Sequence, residues 1–139
     1  MKRRYLLDTN IISEPIRPQP NPKVLARIQQ HRHEVATASV VWHELLFGCQ
    51  RLPESRKRRM LEIYLHDVVE QTIPILPYAK AAAEWHAQER ARLSLAGVSP
   101  AFADGQIAAI ANSHGLIVVT ANVVDFANFK GLSIENWFD

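Results

Sequence analysis

Short apolar runs alternate with helix-forming stretches along the whole chain. Residues 4–7 (RYLL) predict a strand that ends at Asp8. Asn10 to Ile16 reads as a brief helix and Pro22 to His31 as a second, because proline suits a first turn. The prolines of PIRPQPNP (15–22) make a rigid loop between them. Residues 35–38 (VATA) predict a second strand, and Ser39 the N-cap of a helix running to about Arg51. Pro53 interrupts, and a basic helix follows from about Glu54 to Val69. TIPIL (72–76) predicts a third strand. Tyr78 to Ala96 is rich in strong helix formers and Gly97 ends it. Ser99-Pro100 opens the next helix, in which Ala103, Ile107, Ile110 and Ala111 recur at helical spacing and which Gly115 closes. LIVVT (116–120) has the unalternated, β-branched look of a strand buried on both faces. A short last strand falls near 133–135. Strands separated by helices imply crossover connections and a parallel sheet, hence an α/β sandwich.

Composition narrows this further. With 139 residues, 47% hydrophobic and 22% charged, the chain suits one domain with a real core and excludes disorder or a coiled-coil rod. No apolar run approaches the length that crosses a bilayer. MKRRYLLDTN meets a charge at position 8 and lacks the apolar segment of a secretion signal. Cys49 is the single cysteine, which excludes an internal disulfide and a cysteine-rich zinc site. The expectation is a soluble, cytoplasmic protein.

Four acids stand where this architecture delivers ligands, beyond the carboxyl ends of parallel strands. Asp8 follows the first strand. Glu44 lies in the second turn of the helix after the second strand. Asp104 sits near the positive end of its helix. Asp125 lies five residues past Thr120. Each has a plainer role open to it: a helix cap for Asp8 and Asp125, dipole complementation for Asp104, a solvent-side position for Glu44. Gathered in one partly buried space they would repel without a counterion, and a hard divalent cation, Mg²⁺ or Mn²⁺, resolves that repulsion. Setting these four aside leaves 16 basic against 10 acidic groups, an acidic pit in a basic surround suited to a polyanion.

LDTNIISE, HELLFG, ADGQIAAIA and TANVVDF, in that order and spanning nearly the whole chain, resemble the motifs of PIN-domain toxins of the VapC type. The opening LDTNIISEPIRPQPN is especially similar to the FitB-like subgroup. The resemblance implies a PIN-like three-layer α/β/α sandwich of about five parallel strands over residues 1–139. It implies that Asp8, Glu44, Asp104 and Asp125 bind Mg²⁺ or Mn²⁺, with Asp8 and Asp104 the most direct ligands. Thr9, Asn10, Thr120 and Asn122 would support them. It further implies a homodimer that cleaves RNA (often tRNA), is neutralised by a VapB- or FitA-like antitoxin, and meets promoter DNA through that antitoxin. One position departs from the pattern: many relatives carry arginine where this chain has Ala121, a change that bears on RNA binding and removes no metal ligand.

The chemistry so implied is phosphodiester hydrolysis by metal-activated water, leaving a 5′-phosphate and a 3′-hydroxyl. Glu44 or Asp125 would orient the water or accept its proton. A second reading, kept open by Ala121, is a weakly catalytic or non-catalytic partner of a DNA-binding antitoxin. A phosphatase-like use of Asp8 as nucleophile lacks the second aspartate that class wants two residues on, where Asn10 stands. RKRRM (56–60) suits a solvated helix face or an RNA backbone track. The six histidines show no zinc spacing. Trp85 and His86 read as packing residues, and the apolar faces near 40–47 and 61–69 suit either the core or an antitoxin helix.

Overall fold

The computed structural model describes residues 2–139. Five strands, β1 (Tyr5–Leu7), β2 (Val35–Ala38), β3 (Ile75–Leu76), β4 (Ile117–Val119) and β5 (Ile134–Glu135), form one sheet in the order β3-β2-β1-β4-β5. All four pairings are parallel. From the central β1 the chain winds outward through β2 to β3, then returns to β4 on the other side. The strand order therefore reverses between β1 and β4, where such sheets open a crevice at their carboxyl ends. Leu6, Leu7, Val118 and Val119 are wholly buried, so helices must cover both faces of the sheet.

Those helices are α1 (Thr9–Ile12), α2 (Pro22–Gln30), α3 (Ser39–Gln50), α4 (Arg56–Ile63), α5 (Glu70–Thr72), α6 (Lys80–Leu95), α7 (Phe102–Ser113) and α8 (Val123–Phe126). Several boundaries differ from the sequence-based expectation. The segment 10–16 divides, because Pro15 cannot continue an α-helix; α1 stops at Ser13 and Glu14–Ile16 forms a 3₁₀ turn. Ser39 is not a cap: β2 runs straight into α3, and Ala38 takes the capping position without a side-chain hydrogen bond. Ser55 caps α4 instead, its hydroxyl accepting from Arg58 N–H. The basic helix then widens to a π-helical turn over Tyr64–Val69. Thr72 stays helical, its hydroxyl bonded back to the Val68 carbonyl, so β3 keeps only two residues. Ser99-Pro100 precedes rather than opens α7, which begins at Phe102 with Ala101 at the cap.

Gly97 and Gly115 end α6 and α7 with φ of 77° and 66°, the left-handed conformation that glycine adopts at little cost. α6 buries Ala82, His86, Glu89 and Leu93, a stripe at spacings of four, three and four. Two of its four members are polar, which hides it from a hydrophobicity pattern. α7 supplies most of the central helical layer, with Ile107, Ala108, Ala109, Ile110 and Ala111 fully buried. Cys49 is buried too, and burial pushes its thiol pKa up. No helix among the described residues is long and apolar enough to cross a membrane.

Candidate metal centre

The Asp8 backbone N–H donates to the Val119 carbonyl at 2.9 Å, extending the β1–β4 ladder to the acid itself. Asp8 is only 7% exposed. Its two oxygens are held separately: Oδ1 accepts from the Thr9 backbone N–H at 2.8 Å and Oδ2 from Thr120 Oγ at 2.8 Å. Asp8 thus occupies the N-cap of α1 as well as the strand end. Thr120 Oγ in turn accepts the Asn122 backbone N–H at 3.0 Å. Asn10 links the two loops, its side-chain oxygen accepting the Ala121 N–H at 2.9 Å. Beneath them the buried Thr37 hydroxyl donates to the Leu7 carbonyl at 2.8 Å.

The other three acids come from helix starts. Thr9 Oγ donates to Glu44 Oε2 at 3.0 Å, bringing the exposed second turn of α3 to the start of α1. Asp104, half-buried, lies in the first turn of α7, and Asp125, exposed, in the first turn of α8. All eight residues named from the sequence therefore lie on four adjoining segments. Thr9, Asn10 and Thr120 act through side chains, whereas Asn122 contributes a backbone N–H.

Burial pushes the Asp104 carboxyl pKa up to about 6, with Asp125, Asp8 and Glu44 each adding to the rise. Asp8 is raised as well, chiefly by burial and slightly by Asp125, against the lowering from its hydrogen bonds to Thr120, Thr9 and Asn10. No cation is among the groups acting on either. These acids thus share a negative field.

The donor set fits a hard divalent ion, being all oxygen and all carboxylate at its centre. Among the described residues no three His, Cys, Asp or Glu side chains stand close enough together to hold a metal ion, so a cation here would rest on one or two carboxylates and water. Mg²⁺ is bound in that way elsewhere, keeping several waters and taking one or two carboxylates.

Two residues beside the site escaped the sequence reading. Gly105 follows Asp104, and a Cβ there would collide with His86 Nε2. The buried His86 exchanges a hydrogen bond with the Tyr78 hydroxyl at 2.8 Å and packs on Phe102. Only a contact between α6 and α7 reveals the need for glycine, and nothing in the motif itself signals it. Glu89 is the second: it accepts from Arg92 at 2.8 and 2.9 Å and from the Lys130 N–H at 2.7 Å, tying α6 to the loop after α8.

Elsewhere, Arg58 of the basic stretch is taken up by Glu54, Glu62 and the Leu52 carbonyl, while Arg56, Lys57 and Arg59 face solvent. The apolar face of 61–69 meets 40–47 where Trp42 packs edge-on against His66, ring centroids 5.9 Å apart. It meets α2 across an apolar cavity of about 770 Å³ walled by Leu25, Ile28, Tyr64 and Val68.

The PIN domain model matches residues 5–132. The chain is 36% identical to toxin FitB of Neisseria gonorrhoeae, covering 96% of this chain and 99% of that one. It is 33% identical to the tRNA(fMet)-specific endonuclease VapC of Shigella flexneri, covering 96% and 98%. Among solved structures, FitAcB from Neisseria gonorrhoeae superposes with a TM-score of 0.89 at 34% identity over 96% of this chain and 98% of that one. DNA-bound VapBC from Salmonella typhimurium does so with 0.83 at 27% over 97% and 98%. The parallel sheet, the four acid-bearing segments and a match over almost the whole length agree: this chain belongs to the PIN-domain family, among the relatives of the FitB and VapC toxins.

Proposed function

We propose that this chain is a divalent-metal-dependent endoribonuclease, the toxin of a type II toxin–antitoxin pair, formed by a single PIN domain over 1–139 and acting in the cytoplasm. The observation that carries the reading is the acid field centred on Asp104, at the reversal of strand order. Such a field destabilises a protein unless a cation or a proton relieves it. Mg²⁺ or Mn²⁺ held there would supply Lewis-acid polarisation of a scissile phosphate and make water a nucleophile near neutral pH. Asp8 and Asp104, the more buried pair, would hold the ion. Exposed Glu44 and Asp125 remain free to orient the attacking water or take its proton. Thr120 and the Thr9 N–H fix the Asp8 carboxylate, and Asn10 holds the two loops in register.

RNA is the proposed substrate because two of the named relatives are a toxin and a tRNA-specific endonuclease, and because the cations outside the pit outnumber the remaining acids. A FitA- or VapB-like antitoxin is the proposed partner, with promoter DNA reached through it; the similar VapBC of Salmonella typhimurium was solved bound to DNA. The apolar cavity between α2 and the 64–73 segment offers an antitoxin helix a surface to bury. Exposed Leu95 and Phe102 suit a homodimer contact.

Ala121 favours the second reading, a weakly catalytic partner in transcriptional autoregulation. Ala121 is exposed and its backbone N–H is bonded to Asn10, so it lies next to the proposed site without offering a cation to a phosphate. The test is incubation of antitoxin-free protein with a tRNA pool in Mg²⁺, Mn²⁺ or EDTA, alongside Asp104→Asn. Discrete fragments that need metal and vanish in the variant support the nuclease. Folded protein that binds Mn²⁺ yet cuts nothing, with tight antitoxin and DNA binding, supports the second reading.

A further inference from the structure

Asp104 and Asp125 also form one wall of a cavity of about 420 Å³ between the loop before α7 and the end of α8. Its other walls include Val98, Pro100, Val124 and Asn128, and none of its lining residues is lysine or arginine. Val124 is 83% exposed, an apolar side chain that the core leaves unused beside a proposed metal ligand. The Asn128 backbone is fixed, because its carbonyl accepts from Arg92 at 2.9 Å while the neighbouring Lys130 N–H is held by Glu89. The Asn128 side-chain amide makes no hydrogen bond among the described residues. The wall is thus preorganised, with one donor–acceptor group left over.

Without a bound cation this lining disfavours a phosphate, because two carboxylates and no lysine or arginine line it and an anion would be repelled. It suits a neutral, flat, partly apolar group with polar edges. The volume falls within the range of pockets that bury small ligands. An aromatic base can lie against Val124 and Pro100, and an amide can pair with its edge in two directions. We propose that this cavity receives the unpaired nucleobase next to the scissile phosphate, with Asn128 reading its edge and Val124 covering its face, so that it sets the sequence preference at one flanking position. The proposal rests on the ribonuclease reading above, since the cation proposed for the acids would be what holds the scissile phosphate beside this cavity.

The test has two arms. In the first, RNA with a randomised window is cut by the parent, Asn128→Ala, Val124→Asp and the conservative Val124→Leu, and the new ends are sequenced. Asn128→Ala is expected to flatten the preference at a single flanking position by about tenfold, the effect of losing one two-point base contact. Val124→Asp raises KM for a short oligonucleotide by about tenfold through repulsion and lost apolar cover, and Val124→Leu keeps the parent preference. If the parent cuts with a preference that all three variants share, the base pocket is wrong while the nuclease stands.

In the second arm, Asp104→Asn protein in EDTA is titrated with the four uncharged nucleosides and with inorganic phosphate, and its backbone amides are followed by NMR. Shifts of Val98, Val124 and Asn128 with a nucleoside but not with phosphate support the pocket even if the parent cuts nothing. Shifts with phosphate alone, or with neither, overturn it.

Discussion

Two sets of buried or half-buried acids in this molecule have opposite electrostatics. Glu34, at the amino end of the sheet, meets His31 at 2.9 Å and Arg4 at 3.2 Å, and these partners hold its carboxyl below the usual range. Glu89 is lowered likewise, first by its hydrogen bonds to Arg92. Asp8 and Asp104, at the carboxyl end, are raised. The contrast is not one of burial, since Glu89 and Asp8 are 8% and 7% exposed. It lies in the partner: cations beside Glu34 and Glu89, hydroxyls, amides and other carboxylates beside Asp8 and Asp104. The charged groups that shift Asp104 are all carboxylates, which leaves room for a positive charge of another origin.

The comparison can be broken most sharply at the reaction. Asp104→Asn or Asp8→Asn is expected to cut the rate of RNA cleavage by about 10³-fold, the scale of losing a charge-stabilising group. Single-turnover cleavage in Mg²⁺ measures it, and parent-like rates in either variant would remove these acids from the chemistry.

Stability should separate the two sets by sign. Glu89→Gln loses charge-assisted bonds at a buried site and is expected to destabilise the fold by about 2 kcal/mol. Asp104→Asn relieves repulsion and should raise the melting temperature of metal-free protein by about 2–3 °C. Thermal melts of both variants in EDTA decide the matter. A fall for Asp104→Asn would mean that its carboxylate is structural.

The pH dependence follows from the same shift. Asp104 has a folded pKa of about 6, above its unfolded value, so between the two the native state binds more protons than the unfolded chain. Its contribution therefore favours folding at about pH 4 and is lost as pH rises through 6. Asp8 is shifted in the same direction. The melting temperature of parent minus that of Asp104→Asn, followed from pH 4.5 to 7.5 in EDTA, should fall across this window. A flat difference would dissociate Asp104 from the acid field.

The smallest effect is expected at Ala121. Ala121→Arg supplies the cation that the site lacks and should steepen the dependence of log RNA affinity on log salt by about one, as measured on uncleavable RNA. An unchanged slope would place position 121 off the substrate path.

Much of this arrangement was legible in the sequence, because strand ends mark themselves. LIVVT and YLL are apolar without alternation, and a polar residue directly after such a run stands at the carboxyl end of its strand, as Asp8 and Thr120 do. The parallel sheet followed from the alternation of strands and helices. Boundaries were less legible where tertiary contacts decide them: Thr72 reads as strand by its branching but bonds back to Val68. Least visible were contacts between distant segments. The Asn10–Ala121 bond, the Gly105–His86 collision and the Glu89–Lys130 tie each depend on which helices touch, and the buried stripe of α6 is half polar.

The most direct measurement is calorimetric titration of Mn²⁺ into RNA-free protein at pH 6, comparing the parent with Asp8→Asn, Asp104→Asn and Glu89→Gln. The expected result is saturable binding to the parent with release of protons, retained in Glu89→Gln and lost or strongly weakened in both aspartate variants. Parent-like binding in Asp104→Asn, or none in the parent, would contradict the claim that the acid field exists to hold a cation.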